Sequence, residues 1–123
     1  MLRISISLFA FALFAQTSIV YAKVSNEADA TNRLMHRINK SQVYAPWLKL
    51  ECISVYTETK TSKFYEFALH EKHGDNCDGD PNSYPVIDRF RVSRISNSIL
   101  WYDVVNDKYL PFKALIEYRK SKK

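Results

Sequence analysis

The sequence predicts an α+β domain in which an N-terminal helix packs on an antiparallel sheet of about four strands, stabilised by a disulfide bond. Three observations support this prediction. Apolar residues recur at helical spacing in one segment near the N-terminus, segments rich in aromatic and β-branched residues follow it, and the chain has two cysteines. One helix followed by several strands is typical of a helix covering one face of an antiparallel sheet.

Residues 1–22 have the layout of a secretory signal peptide. The basic start MLR precedes the apolar run ISISLFAFALFA, and VYA suits cleavage after Ala22. The apolar run is shorter than the roughly 20 residues that a membrane span needs. We therefore expect a periplasmic or secreted protein with no stable membrane span after cleavage.

The expected mature chain is a single domain, residues 23–118, followed by a basic tail, residues 119–123. Loss of Arg3 with the signal peptide lowers the formal charge from +5 to +4, and the final RKSKK carries four positive charges. A nucleic-acid binder concentrates positive charge on its folded body. Because the charges of the remaining domain balance, we expect no nucleic-acid partner.

The segment SNEADATNRLMHRINKS predicts the helix. Ser25 or Asn26 can cap it, and Glu27 and Asp29 place negative charge in the first turn, where the helix dipole favours it. Three- and four-residue spacing gives one apolar stripe, which consists of Ala28, Thr31, Leu34, Met35 and Ile38.

Four strands are expected after Pro46. They are WLKLECISVYTE, FYEFALHE, VIDRFRVSRI and ILWYDVV, and the last two form the best-defined hairpin, residues 86–105. The final segment, NDKYLPFKALIEYRK, fits either a short helix after Pro111 or an edge strand, so residues 110–118 stay open.

The two cysteines lie in different surroundings. Cys52 is in an apolar run and Cys77 is in the loop HEKHGDNCDGDPNSYP. In an exported chain two cysteines most simply pair, while a metal-bound thiolate or two free thiols are the alternatives. A bridge would hold the glycine-bearing loop against the sheet and add roughly 3–4 kcal/mol of stability.

The same loop contains residues that metals bind. His70, His73 and Cys77 form HxxHxxxC, with aspartates nearby. Zinc needs three or four converging ligands, and Gly74 breaks any helix that would align the histidines. Neither Asp75 nor Asp78 starts a complete EF-hand register. We expect no metal and no other cofactor.

Parts of an acid–base site are also present, namely His36, His70, His73, Arg89 and Arg91. They do not amount to a catalytic grouping, because His36 has charged helix neighbours and no GxSxG-type nucleophile occurs. We predict no catalytic residue, although a small secreted hydrolase or nuclease using His70 and His73 stays as an alternative.

Recognition is the remaining possibility. Arginines alternating with aromatic residues are typical of protein interfaces, and the predicted hairpin would bring such residues together. The candidate binding surface comprises His73, Asp75, Asp80, Tyr84, Arg89, Arg91, Trp101 and Tyr102. Alternatively, the aromatic residues form the core and the arginines pair with Asp103 or Glu66 across strands.

Two strings, CDGDPNSYPVIDRFRV and WYDVVNDKYLPF, resemble a pattern found in small exported proteins of Gram-negative bacteria whose activity is not assigned. The resemblance covers about residues 70–112 and implies no catalytic role. It implies that Gly79-Asp80-Pro81 forms a turn and that the Asp88 carboxylate accepts hydrogen bonds from loop amides.

The expected function is therefore that of a non-enzymatic periplasmic or secreted binding protein, whose partner is a protein or an envelope polymer. An inhibitor or immunity protein for an envelope-acting enzyme is its most concrete form. A structural component of the envelope is a further alternative to the hydrolase.

Overall fold

The computed structural model describes residues 15–16 and 23–123, so the predicted signal peptide lies almost entirely outside the described residues. The elements follow in the order α1 (Glu27–Ser41), a 3-10 turn (Leu50–Cys52), β1 (Ile53–Lys60), β2 (Phe64–Glu71), β3 (Val86–Ser93), β4 (Ile99–Asp103), β5 (Lys108–Pro111) and α2 (Phe112–Ser121). The α+β prediction is confirmed, with one strand and one helix more than the sequence indicated.

Helix α1 has defined caps at both ends. The Asp29 amide donates to the Asn26 side chain at 2.9 Å, and the helix ends at Gln42, whose φ of 55° is left-handed. The buried stripe is Ala30, Leu34 and Ile38. The predicted stripe was right for Leu34 and Ile38 but wrong for Ala28, which is exposed, while Thr31 and Met35 are partly buried.

The five strands form one antiparallel sheet in the order β1-β2-β3-β4-β5. Each strand pairs with its neighbour in the chain, as expected when short turns connect antiparallel strands. Phe67 pairs with Phe90, and Phe90 pairs with Trp101. Directly opposed residues point to the same side of a sheet, so these three aromatic side chains share one face.

That face carries the core. Both helices bury their apolar side chains on it: Ala30, Leu34 and Ile38 from α1, with Phe112 and Leu115 from α2. The rings of Phe90 and Phe112 stack with centroids 5.8 Å apart. Full burial of each such side chain stabilises the fold by about 1.5–3 kcal/mol. In the part of the chain described, the opposite face of the sheet is left uncovered.

The C-terminal region resolves the ambiguity at residues 110–118. Strand β5 ends at Pro111 and α2 begins at the next residue, in keeping with the preference of proline for the start of a helix. Helix α2 continues to Ser121. Arg119, which the sequence placed at the start of a basic tail, is therefore helical and forms an ion pair with Asp88 at 2.9 Å.

The predicted disulfide is confirmed. Cys52 and Cys77 are bonded, with Cα atoms 5.6 Å apart and a sequence separation of 25. Both are buried, and neither is a free thiol. The bond ties the middle of the loop that joins β2 to β3 to the residue immediately before β1.

Replacing both cysteines by alanine should lower the free energy of unfolding by about 3–4 kcal/mol, because the unfolded chain loses a closed loop of roughly 26 residues. Urea unfolding of the two proteins measures the difference. The oxidised protein should show no alkylatable thiol by mass spectrometry under non-reducing conditions. A loss below about 1 kcal/mol would contradict a stabilising role for the bond.

Candidate functional site

We define the open face as the side of the sheet opposite the core. It presents aromatic and charged side chains from all five strands, since the register aligns Tyr56 with Ala68 and Arg89, and Glu66 with Arg91. The members used below that the strand register places on this face are Tyr56, Phe64, Glu66, His70, Arg89, Arg91, Tyr102 and Tyr109. Glu58, at the bulge in β1, joins them through its contact with Arg89.

Arg91 lies at the centre of the open face. Its Nε donates to Glu66 at 3.1 Å, and a second guanidinium nitrogen contacts the same carboxylate. The guanidinium carbon lies 4.0 Å from the Phe64 ring centroid and 4.1 Å from that of Tyr109. An arginine held by a carboxylate and between two rings has little freedom to rearrange.

The charges of the open face compensate one another. Arg89 donates through Nε to Glu58 at 2.9 Å, as Arg91 does to Glu66. Burial acts to raise the pKa of Glu66, but hydrogen bonds led by that of Arg91 outweigh it and hold the pKa below its usual value. The open face is therefore aromatic with paired charges, and it is not a basic surface.

One end of the open face forms an aromatic cluster, which we define as Tyr56, His70, Tyr84 and Val86. The rings of Tyr56 and His70 meet edge to face at 4.8 Å, and His70 Nδ1 donates to the Tyr84 carbonyl at 2.8 Å. Val86 pairs with His70 across strands. Tyr56 is 52% exposed and Tyr84 55%, so the cluster offers two accessible rings on a fixed backbone.

The loop between β2 and β3 is organised around His73. Its Nδ1 donates to the Asp80 carbonyl at 2.8 Å, and its Nε2 lies 3.3 Å from a Glu71 carboxylate oxygen. Only 10% of the side chain is exposed. The ring covers Gly79, where a Cβ would lie 2.7 Å from ring atoms. His73 thus serves as an internal support of the loop.

The predicted binding surface is partly assembled. Arg89, Arg91 and Tyr102 lie on the open face, and Tyr84 adjoins it. Asp75 and Asp80 are exposed in the loop, where the Asp80 carbonyl accepts from the Ser83 amide in the expected turn.

Two members do not belong to that surface. His73 is largely enclosed by the loop, as described above. Trp101 is only 5% exposed and points into the core. It is the immediate neighbour of Tyr102, and adjacent strand residues face opposite sides of a sheet, so only one of the two can lie on the open face.

Asp88 binds side chains, and the expectation that it accepts loop amides is wrong. It faces the core, where its carboxylate accepts from Tyr44 Oη at 2.6 Å, Trp101 Nε1 at 2.8 Å and Arg119 Nη2 at 2.9 Å. Burial and the adjacent carboxylate raise the pKa of Tyr44, so its hydroxyl stays protonated. The Arg119 guanidinium also lies 4.9 Å from the Trp47 ring centroid.

The side chains of the open face and of the β2–β3 loop make packing contacts and hydrogen bonds, and we find no arrangement among the described residues that indicates a metal site. Within residues 15–16 and 23–123, no group of three or more His, Cys, Asp or Glu side chains could hold a metal ion. Both ring nitrogens of His73 are engaged within the protein. His36 is exposed on α1, away from the loop histidines in the sequence.

Several members of the open face were not in the predicted surface, chiefly Tyr56, Phe64 and Tyr109. Alternation along β2 places Phe64, Glu66 and His70 on one side, which signals their shared face from the sequence alone. The face on which Tyr56 lies depends on the register of β1, which contains a bulge, and the sequence does not reveal that register. Tyr109 lies in a four-residue strand, whose alternation is too short to recognise.

No protein-family model, curated protein or solved structure matches this chain. The resemblance to small exported Gram-negative proteins therefore stays a prediction. The helices present in residues 15–16 and 23–123 include none with the length and apolar character needed to cross a bilayer.

Replacing Asp88 by asparagine should lower the free energy of unfolding by about 2–3 kcal/mol, because Arg119 loses its counter-ion and the amide group cannot accept from all three donors. This is below the range for a fully buried pair, since the Arg119 side chain is 28% exposed. Urea unfolding measures the loss. Asp78→Asn makes the same chemical change at an exposed position and should alter stability by less than about 0.5 kcal/mol.

Gly79→Ala should destabilise the protein more than Gly74→Ala. Both glycines have positive φ, 108° and 91°, and this strain costs an alanine about 1–3 kcal/mol. At Gly79 the new Cβ would also collide with His73, whereas at Gly74 its nearest contact is Pro81 at 3.4 Å. Thermal or urea unfolding compares the two variants, and equal losses would show that His73 does not pack on Gly79 in solution.

Proposed function

We propose that this protein is a non-enzymatic binding protein that acts in the periplasm or as a secreted protein, and that its partner is another protein. An inhibitor or immunity protein for an envelope-acting enzyme is the form we favour. The Cys52–Cys77 disulfide is compatible with an oxidising compartment outside the cytoplasm, which supports the location.

The observation that carries the proposal is the aromatic cluster on an uncovered sheet face. Large aromatic residues that are exposed, adjacent and held in place are the residues that dominate protein–protein binding energies. Tyr56 and Tyr84 are each more than half exposed. The His70 ring packs against the Tyr56 ring and binds the Tyr84 backbone carbonyl, so the Tyr56 side chain and the Tyr84 backbone would lose little conformational entropy on binding.

The electrostatics favour a protein over a polyanion. Arg89 and Arg91 have carboxylate partners on the open face, Glu58 and Glu66. A phosphate chain approaching the arginines would meet those carboxylates. A polypeptide can place both charged and aromatic groups against a surface of aromatic rings and paired charges. Tyr and Arg are also enriched in the buried centres of protein interfaces.

The hydrolase alternative draws no support from the arrangement of the histidines. His70 Nδ1 is bound to the Tyr84 carbonyl, and His73 is engaged at both ring nitrogens. A general base needs a ring nitrogen within hydrogen-bond reach of a substrate proton, and the enclosed ring of His73 offers none.

Binding to a protein from envelope extract tests the proposal. The exported protein, immobilised after purification, should capture a specific partner whose affinity then falls at least about tenfold in Tyr56→Ser/Tyr84→Ser, since truncated hot-spot aromatics cost about 2 kcal/mol or more. The matched control is Val104→Ser/Val105→Ser, which removes two exposed apolar side chains at the β4–β5 turn and should leave the affinity within about twofold.

Equal affinity of the two double variants would contradict the assignment of the open face. Turnover of an envelope polymer or nucleic acid by the wild-type protein, abolished in His70→Gln/His73→Gln with the fold intact by circular dichroism, would replace the proposal with the hydrolase.

A further inference from the structure

A basic groove lies between α1 and the start of α2, at one end of the sheet. We define it by its cationic side chains, Arg33, Arg37 and Lys40 of α1 and Lys113 of α2, with His36 beside them, and by Phe112 at its apolar side. Its volume is about 530 Å³. The sequence led us to assign the excess positive charge to the C-terminal residues, whereas this groove concentrates positive charge on the folded body.

Among the described residues, none that lines the groove carries a carboxylate. The two acidic residues of α1 lie in its first turn, where Glu27 contacts Thr57 and Lys60, and Asp29 contacts Ser25. Glu117 of α2 is one turn beyond Lys113 and is not part of the lining. Like charges three and four residues apart disfavour a helix, so Arg37 and Lys40 repel each other, and an anion bound beside them would relieve that repulsion.

The contacts of two arginines position the cationic wall. The guanidinium carbon of Arg37 lies 5.0 Å from the Phe112 ring centroid, and Arg33 donates to the Asn97 side chain on the β3–β4 turn. An arginine whose plane is held in this way is suited to bidentate contact with phosphate oxygens. The lysines add point charges at the rim.

We propose that this groove is a second binding site, which takes a ligand carrying a phosphate group next to an apolar body. The cationic side chains of the groove can bind the phosphate group. The volume is larger than a lone phosphate needs, and Phe112 with Ile99 and Leu100 gives the groove an apolar side. The phosphate can belong to a soluble molecule or to a lipid headgroup, because both present the same chemistry to the groove.

Two probes test the site and distinguish a soluble phosphate ligand from a lipid headgroup. Inorganic pyrophosphate is titrated into the purified protein and followed by amide chemical shifts, and phosphatidylcholine vesicles containing phosphatidic acid are tested by co-sedimentation. We expect the largest shifts at the amides of Arg37 and Lys113. Lys40→Gln/Lys113→Gln should weaken binding at least about tenfold, because two charge-assisted contacts are lost, and added salt should weaken it further.

Lys120→Gln/Lys123→Gln is the matched control, because it removes the same charge from exposed positions outside the groove and should change affinity by less than about twofold. Groove-dependent binding to vesicles but not to pyrophosphate identifies a lipid source, and the converse identifies a soluble one. Equal weakening by both double variants, or binding to neither probe, overturns the proposal. None of the four substituted lysines belongs to the hydrophobic core, so both double variants should fold. Circular dichroism checks this.

Discussion

The carboxylate of Asp88 is the point on which the tertiary arrangement depends. A charged group that is only 10% exposed is costly to bury unless it is paired and hydrogen-bonded. Its three donors lie after α1, in β4 and near the end of α2, at Tyr44, Trp101 and Arg119. The carboxylate is satisfied only when these segments assemble around β3, so one residue joins parts of the chain that are far apart in the sequence.

This arrangement also explains why the two faces of the sheet differ. Helix α2 is held on the core face by Arg119 and by the stacking of Phe112 on Phe90, and α1 packs its apolar stripe on the same side. No described helix remains to cover the other face. That face carries Arg91 between two rings and against Glu66, so its aromatic surface is broken by charge pairs that keep it compatible with water.

The features that sequence could predict are those set by local patterns. The spacing of Leu34 and Ile38 indicates the buried side of α1, and the presence of two cysteines behind a predicted signal peptide indicates their pairing. Features that depend on strand register or on contacts between distant residues could not be predicted from the sequence. A shift of one position exchanges Trp101 and Tyr102 between faces, Arg119 resembles a solvated tail residue until Asp88 is known to lie beside it, and β5 is too short for its alternation to be distinguished from the start of α2.

The loop between β2 and β3, which carries both glycines, is held in one conformation by covalent and non-covalent contacts. Cys77 is tied to Cys52, His73 supports Gly79, and the backbone closes through a 2.9 Å hydrogen bond from the Glu71 amide to the Pro85 carbonyl. Ordering a flexible loop on binding costs free energy that a fixed loop has already lost during folding. Under the proposed function, the covalent bond would therefore do more than stabilise the domain, since the exposed ring of Tyr84 would meet a partner from a single backbone conformation.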